Sequence, residues 1–367
     1  MQHSTSLLPL DINSFPDSYV SARKRWLAKL ELLRLEQYYV PFPCLDKRQD
    51  HQNLITDTVW LGSTEADNVL ILLAGTHGVE GFAGSAVQLD YLRMLAAGCI
   101  QLNQNTAILL IHALTPWGYA LLRRCDANGV DLNRNAIDFT QPLPVNPGYE
   151  ALQPAFNTPD PAQRAQIFVD WENRYGRKSL EIAISAGQYT DPNGPFYGGK
   201  APAHGSLVCE QLIKDYQLAK RNLAVIDIHT GLGPYGYGEI ICDHAPDSDG
   251  AAIAKSWYGD AVTLPELGTS SSVPKFGLLD FLWHKIMNNS SCYITLEFGT
   301  YRTEQLFEVL LQDHQLWAQS ANTQSKLEHG FKMRRHFCPD DDIWKEMVLF
   351  RARQVLNQAL SGLTELK

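Results

Sequence analysis

The 367-residue sequence lacks a run of about 18 consecutive apolar residues, the minimum for a helix that crosses a membrane. Its first residues, MQHSTSLLPLDINSF, lack the basic start and apolar core of a secretory signal peptide. Basic charge is not in excess either, because the net charge is −9. Nucleic acids and anionic membranes attract basic surfaces, so neither is expected as a partner. These absences predict a cytoplasmic protein.

The seven cysteines include no C-x-x-C pair, the spacing of redox motifs and many zinc sites. Their number is odd, and most lie among apolar residues, as Cys292 does in SCYITLEF. A disulfide framework is therefore not expected, which fits a reducing compartment. The sequence also has no G-x-S-x-G, the strand-to-helix turn that carries the nucleophile of many serine hydrolases.

Apolar runs and helical periodicity dominate the remaining sequence, of which 45% is hydrophobic and 19% charged. Six segments read as strands: 59–62, 69–75, 107–113, 223–229, 239–243 and 292–298. Helical patterns occupy 17–37, 83–97, 161–186, 203–219 and 341–360. Strands that alternate with helices predict an α/β fold with a largely parallel sheet covered by helices. We expect one domain over 1–367, with a helical insert at about 140–220.

Three polar motifs follow three of the predicted strands directly. THGVEG comes after VLILLAG, HTGLG overlaps the end of LAVIDIH, and EFGTY ends CYITLEF. Ligands of open α/β sheets bind at the carboxyl ends of the strands. These motifs are therefore expected to meet at one functional site.

The first two motifs contain residues that bind zinc. His77 and Glu80 stand three residues apart in a glycine-rich turn, and His229 ends an apolar strand. Catalytic zinc sites use three such nitrogen and oxygen ligands and leave one position for water. An H-x-x-E pair alone is common, and His229 could be a hydrogen-bonded core histidine. Asp227 would point to the same side of its strand as His229, either to orient it or as a structural carboxylate.

Glu297 and a cluster of arginines complete the candidate site. A carboxylate in the apolar run CYITLEF is costly to bury, so Glu297 is either a general base beside a metal or a structural cap. Arg123, Arg124 and Arg134, the last after Asn133 in GVDLNRN, concentrate positive charge in an acidic chain. A guanidinium binds a carboxylate through two parallel hydrogen bonds, so these residues predict an anion site.

The motifs THGVEG, GVDLNRN, DIHTG and TLEFGT, in this order, resemble the M14 zinc carboxypeptidases, most closely the DUF2817 branch of bacterial M14-like proteins. The resemblance covers residues from about 17 to 360. It implies a mixed, mostly parallel sheet between helices. It also implies a zinc-dependent carboxypeptidase that hydrolyses an amide bond next to a free carboxylate of a small peptide or N-acyl amino acid.

The resemblance also implies a role for each matching residue. His77, Glu80 and His229 match the ligands of one zinc ion, and a second metal ion stays open. Glu297 matches the general base. Asn133 and Arg134 match the pair that holds the terminal carboxylate of the substrate, and Arg124, or alternatively Arg123, matches the arginine that polarises the scissile carbonyl.

One feature of the secreted digestive members is missing. They carry a tyrosine about twenty residues before the catalytic glutamate, where this sequence has SSVPKFGLLDF with Phe276. Tyr197, in GPFYGG, or Tyr301 could bind substrate in its place. The stretch between Arg134 and His229 is also longer than usual, so the substrate is open.

Three other functions compete with a carboxypeptidase. An N-acyl amino acid deacylase, similar to aspartoacylase and succinylglutamate desuccinylase, would use the same zinc and arginines. A non-catalytic protein that binds amino acids or peptides would need neither Glu297 nor a metal. Gly231, Gly233 and Gly236 spell the G-x-G-x-x-G of nucleotide-binding proteins after a strand. That motif requires a helix to follow, whereas YGYGEIICD reads as strand.

Overall fold

The computed structural model describes residues 8–45, 53–319 and 321–366. Within them, eight strands form one sheet in the order β1-β2-β4-β3-β5-β8-β6-β7. The pairs β3/β4, β3/β5, β5/β8 and β6/β7 are parallel, and β1/β2, β2/β4 and β6/β8 are antiparallel. The predicted α/β fold, with a mixed, mostly parallel sheet, is therefore confirmed.

The strands are β1 Tyr39–Pro43, β2 Ile55–Leu61, β3 Asn68–Ala74, β4 Thr106–His112, β5 Asn222–Gly231, β6 Gly238–Ile241, β7 Val262–Thr263 and β8 Cys292–Gly299. The helices are α1 Tyr19–Leu32, α2 Gly81–Ala96, α3 Pro116–Ala120, α4 Pro147–Ala151, α5 Gln153–Asn157, α6 Pro161–Tyr175, α7 Arg177–Ser185, α8 His204–Asp215, α9 Asp249–Tyr258, α10 Asp280–His284, α11 Thr303–Ala318, α12 Thr323–Phe337 and α13 Asp342–Glu365.

The central strands are buried on both faces. Every residue of β3 is buried, with Leu70 and Leu72 packed in one apolar cluster and Ile71 and Leu73 in another. The first cluster includes residues of α1, α2 and α13, and the second includes residues of α8. A strand between two such layers reads as an unbroken apolar run, which is why the sequence revealed it.

The edge strands and several helices escaped the sequence interpretation. β1 has the sequence YVPFP and an exposed or half-exposed side chain at every position, so it shows no apolar run. β7 has two residues. The helical pattern predicted over 161–186 is interrupted at Gly176, which has a φ of +86° and separates α6 from α7. Five helices, α4 to α8, lie in the segment predicted as a helical insert.

The nucleotide-binding alternative is wrong. Gly231 is the last residue of β5, and the residues after it form turns that lead into β6. No helix follows the G-x-G-x-x-G sequence in this described part of the chain, so the site for a pyrophosphate at a helix N-terminus is missing.

Among the described residues, no helix is long and apolar enough to cross a membrane.

Parallel pairing brings the three polar motifs to one edge of the sheet. β3, β5 and β8 are neighbours and run in the same direction, so their carboxyl ends lie side by side. His77 follows β3, while His229 of β5 pairs with Glu297 of β8. Paired residues of neighbouring strands face the same side, about 4.8 Å apart.

Candidate metal centre and active site

His77, Glu80 and His229 converge at this edge. Nδ1 of His77 lies 3.1 Å from Nδ1 of His229. The Glu80 carboxylate faces both rings, with Oε1 2.9 Å from Nδ1 of His77 and Oε2 3.0 Å from Nδ1 of His229. Within the described residues, these three form the one group of histidine, cysteine and acidic side chains arranged to hold a metal ion, and all are buried.

The tautomers of both histidines favour a cation between them. Nε2 of His77 lies 3.1 Å from Oδ1 of Asp131, and Nε2 of His229 lies 2.8 Å from Oδ2 of Asp227. A carboxylate beside Nε2 places the proton there and leaves the Nδ1 lone pair free. Two such lone pairs and a carboxylate form a donor set suited to zinc, whose tetrahedral ligands stand about 3.3 Å apart at bond lengths of 2.0–2.1 Å.

A tight turn positions the first two of these side chains. Residues Gly78–Glu80 form a 3-10 turn between β3 and α2, which directs His77 and Glu80 toward the same point. Gly78 packs against the backbone of Gly118, where an added Cβ would lie 2.3 Å from the carbonyl carbon. Position 78 therefore requires glycine for a close backbone contact rather than for an unusual φ.

Asp131 connects the metal-site residues to the arginines, a role that the sequence interpretation missed. Its Oδ1 faces Nε2 of His77 and accepts the backbone N–H of Asn133 at 2.9 Å, while Oδ2 accepts from Nε of Arg124 at 3.0 Å. Arg124 also donates through Nη1 to Oε1 of Glu80 at 3.0 Å. The Arg124 charge and the hydrogen bond from His77 hold the pKa of Asp131 well below its usual range despite burial.

Glu297 lines the same cavity. Its Oε1 accepts the backbone N–H of Leu232 at 2.9 Å, which fixes the carboxylate and leaves Oε2 for another partner. Burial and the negative charge of Glu80 raise the pKa of Glu297 to about 7. A carboxylate with a pKa near neutrality can accept a proton and return it.

Arg134 is held rigidly at the cavity wall. Nε and Nη2 donate to the Ser185 carbonyl at 3.0 and 2.7 Å, and Nη1 donates to the Asn133 carbonyl. Three of its five N–H groups are thus satisfied, and two remain for a bidentate partner. Burial lowers the pKa of Arg134 to about 10, so the guanidinium stays charged at neutral pH. The Asn133 Oδ1 atom accepts the backbone N–H of Leu279 at 2.8 Å.

The cavity around these groups encloses about 820 Å³ of empty space, including its open mouth. It is lined by the three candidate ligands together with Arg124, Asn133, Arg134 and Glu297. Further lining comes from α7, the loop 271–278 and the start of α11. One cavity therefore contains a candidate metal-binding set, a carboxylate of raised pKa and two arginines.

The sequence matches the family described as "Protein of unknown function (DUF2817)" over residues 15–351. The chain belongs to the DUF2817 family. The resemblance to the DUF2817 branch, predicted from its motifs, is thereby confirmed. No protein with a curated description matches this DUF2817 chain in sequence.

Three solved structures illustrate what this DUF2817 protein is similar to. Carboxypeptidase A from Helicoverpa armigera is 13% identical and has a TM-score of 0.47, with coverage of 91% of this chain and 75% of that one. The murein-tripeptide amidase from Escherichia coli O157 is 17% identical with a TM-score of 0.34, covering 83% and 93%. An aspartoacylase family protein from Mesorhizobium loti is 15% identical with a TM-score of 0.36, covering 78% and 68%. No function follows from TM-scores below 0.5.

Two of the predicted substrate-binding residues lie outside the described cavity lining of the DUF2817 protein. Arg123 donates to Asp313 at 2.8 Å and lies over the ring of Trp317 at 4.5 Å, so it faces away from its neighbour Arg124. Tyr197 forms backbone bridges with Val130 and Gln188, and its side chain is buried. The other tyrosine considered, Tyr301, and also Phe276 are about 40% exposed and do not line the cavity either.

Phe196, the residue before Tyr197, lines the cavity instead. Its ring centroid lies 5.5 Å from the guanidinium carbon of Arg124 and 5.4 Å from that of Arg134. Phe196 also has a φ of +59°, a backbone conformation that is uncommon for an aromatic residue. One aromatic side chain therefore contacts both arginines. The sequence GPFYGG alone does not indicate which of its two aromatic residues, Phe196 or Tyr197, lines the cavity.

Proposed function

We propose that this protein is a zinc-dependent amide hydrolase of the carboxypeptidase type, which cleaves the bond next to a free carboxylate of a small peptide or N-acyl amino acid. One observation supports this function above others. The His77, Glu80 and His229 donor set, the Glu297 carboxylate and the free edge of Arg134 line one cavity. A protein that only binds amino acids would need neither the donor set nor the Glu297 carboxylate.

A bound zinc ion would lower the pKa of a water molecule and polarise the amide carbonyl. Glu297 accepts the proton of the attacking water through Oε2, which has no hydrogen-bond partner among the described residues, and then transfers it to the leaving nitrogen. Arg124 donates hydrogen bonds to the carbonyl oxygen as negative charge develops on it. Asp131 keeps Arg124 oriented, because it accepts from Nε at 3.0 Å.

Arg134 positions the substrate. Its two remaining N–H groups bind the free carboxylate, and the Ser185 carbonyl holds the guanidinium plane during binding. Gly187 allows this arrangement, since an added Cβ there would lie 2.8 Å from Cδ of Arg134. A fixed carboxylate places the neighbouring amide bond at Glu297, which makes the attack effectively intramolecular.

The test is a screen of dipeptides and N-acyl amino acids with zinc-loaded protein. We expect cleavage of a compound with a free carboxylate, loss of activity with a chelator and recovery with zinc. His77→Ala and His229→Ala should each lose the metal, because two ligands bind zinc more weakly than three. Full zinc occupancy in both variants would contradict the site. Preference for N-acyl amino acids over peptides would assign the protein to deacylation instead.

A further inference from the structure

The cavity continues from the metal centre down one face of the sheet. Glu297, Thr295 and Tyr293 alternate along β8, so their side chains share that face, and all three line the cavity. The antiparallel pair β6/β8 places Ile241 opposite Thr295, which brings Asp243, two residues later, to the level of Tyr293. The cavity thus follows β8 over four residue steps, which rise about 13 Å.

Positive charge also lines this pocket. Lys275 comes from the loop before α10 and lines the cavity together with Arg134. Its Nζ donates to the Val273 carbonyl at 2.8 Å and to the Ser272 hydroxyl, which holds the ammonium group in place. Burial and the charge of Arg134 lower the pKa of Lys275 to about 8. These two cations can pair with a carboxylate.

Apolar and acidic side chains also line the pocket. Ile241, Val273 and Leu278 are apolar, and Ile241 lies opposite Thr295. Asp280 is 4% exposed, and its Oδ1 atom has no hydrogen-bond partner among the described residues. Its Oδ2 is 3.8 Å from Nε2 of His284, which is too far for a hydrogen bond.

Asp243 is half-buried near Asp280, and its carboxylate accepts no hydrogen bond from the described residues, although the charge of Lys275 acts on it. Burial raises the pKa of Asp243, and burial together with the Asp243 charge raises the pKa of Asp280 well above its usual range. Buried carboxylates without a donor are costly, and a ligand that donates hydrogen bonds and positive charge removes that cost.

We propose that the pocket selects a leaving amino acid with a long basic side chain, of the lysine type. This inference rests on the proposed function, because the leaving amino acid is defined by the amide bond that is cleaved. The α-carboxylate binds between Arg134 and Lys275. The aliphatic stem packs on Ile241 and its neighbours, and the terminal ammonium reaches Asp243 and Asp280.

The charges of the pocket agree with such a ligand. Arg134 and Lys275 offer positive charge to the carboxylate of such a ligand, and Asp243 and Asp280 offer acceptor oxygens to its ammonium group. Ile241 pairs with Thr295, between the level of Glu297 and that of Asp243, so an apolar side chain for the stem of the ligand lies between the metal centre and the acids.

The experiment compares two benzoylglycyl dipeptides that end in lysine or norleucine, which have similar stems but differ in the ammonium group. We expect the zinc-loaded protein to favour the lysine compound by at least tenfold in kcat/KM, a conservative estimate for a buried charge contact. Asp243→Asn should reduce this preference to less than about threefold. Asp247→Asn is the matched control, because Asp247 is exposed in the same loop and outside the cavity.

Calorimetric binding of free lysine, norleucine and glutamate provides a readout that does not require turnover. Tighter binding of lysine, lost in Asp243→Asn and kept in Asp247→Asn, supports the pocket even if no dipeptide is cleaved, and only the proposed function then fails. Cleavage of both dipeptides at equal rates, or equal binding of lysine and norleucine, overturns the inference. Tighter binding of glutamate also overturns it, because Lys275 would then determine the specificity.

Discussion

Asp131→Asn should weaken zinc binding more than Asp227→Asn, although each carboxylate faces Nε2 of a proposed ligand histidine. Both oxygens of Asp131 accept from obligate donors: Oδ1 from the backbone N–H of Asn133 and from His77, and Oδ2 from Nε of Arg124. An asparagine has one acceptor oxygen, so in either orientation its NH₂ group faces an N–H donor.

Asp227 has different partners. Its Oδ2 faces Nε2 of His229 and accepts from the Tyr293 hydroxyl, whereas Oδ1 accepts from the Thr76 hydroxyl. A hydroxyl can reverse its role and accept from an amide. Asparagine at 227 can therefore keep its oxygen toward His229 and direct its NH₂ group to Thr76.

Loss of a partner to a ligand histidine typically lowers metal affinity by about 10–100-fold, or about 1.4–2.7 kcal/mol. We expect Asp131→Asn near the upper end of this range, since it also releases Arg124 to pair fully with Glu80 and compete with the metal. Asp227→Asn should lie near the lower end. Competition with a chromophoric chelator measures both affinities, and thermal unfolding verifies that both variants fold. Equal losses, or a larger loss for Asp227→Asn, would refute this reasoning about acceptors.

Three further predictions concern catalysis. Glu297→Gln should keep its zinc but lose about 10²–10⁴-fold in turnover, and wild-type kcat/KM should rise with pH up to a limit at or below about 7, because only the deprotonated carboxylate accepts a proton. Arg134→Ala should weaken the binding of free-carboxylate substrates by about 2–4 kcal/mol and the binding of their amides much less. Phe196→Leu should raise KM for free-carboxylate substrates more than Phe307→Leu, because the Phe196 ring contacts both Arg124 and Arg134. Phe307 is the control, since its ring lines the same cavity and packs edge-on against Phe196. Equal effects would show that the arginine contacts are unimportant.

The sequence by itself determined the sheet core and the three candidate metal ligands. β3, β5 and β8 are buried on both faces, so their apolar runs stand out, and polar residues at their ends are conspicuous. His77 and Glu80 lie in one turn, and His229 ends one strand, so local sequence was enough to indicate them. Their meeting point followed from the rule that parallel strands end at the same edge.

Tertiary structure alone decided how adjacent residues divide their roles. Arg123 and Arg124 are equivalent in sequence, yet one pairs with Asp313 on α11 and the other with Asp131 beside the cavity. Phe196 and Tyr197 are likewise adjacent in sequence, yet Phe196 lines the cavity and Tyr197 does not. The direction of each side chain depends on partners far away in the chain, which no local pattern encodes.

The acidic part of the pocket depends entirely on long-range packing. Asp243 follows β6, Lys275 lies in a loop and Asp280 begins α10, and each alone reads as an ordinary surface charge. The antiparallel pairing of β6 with β8 turns Asp243 toward the cavity, and the loop before α10 lays Lys275 and Asp280 against it. A strand register and a loop path are set by the whole core, so the candidate metal site could be predicted from the sequence whereas the proposed specificity pocket required the fold.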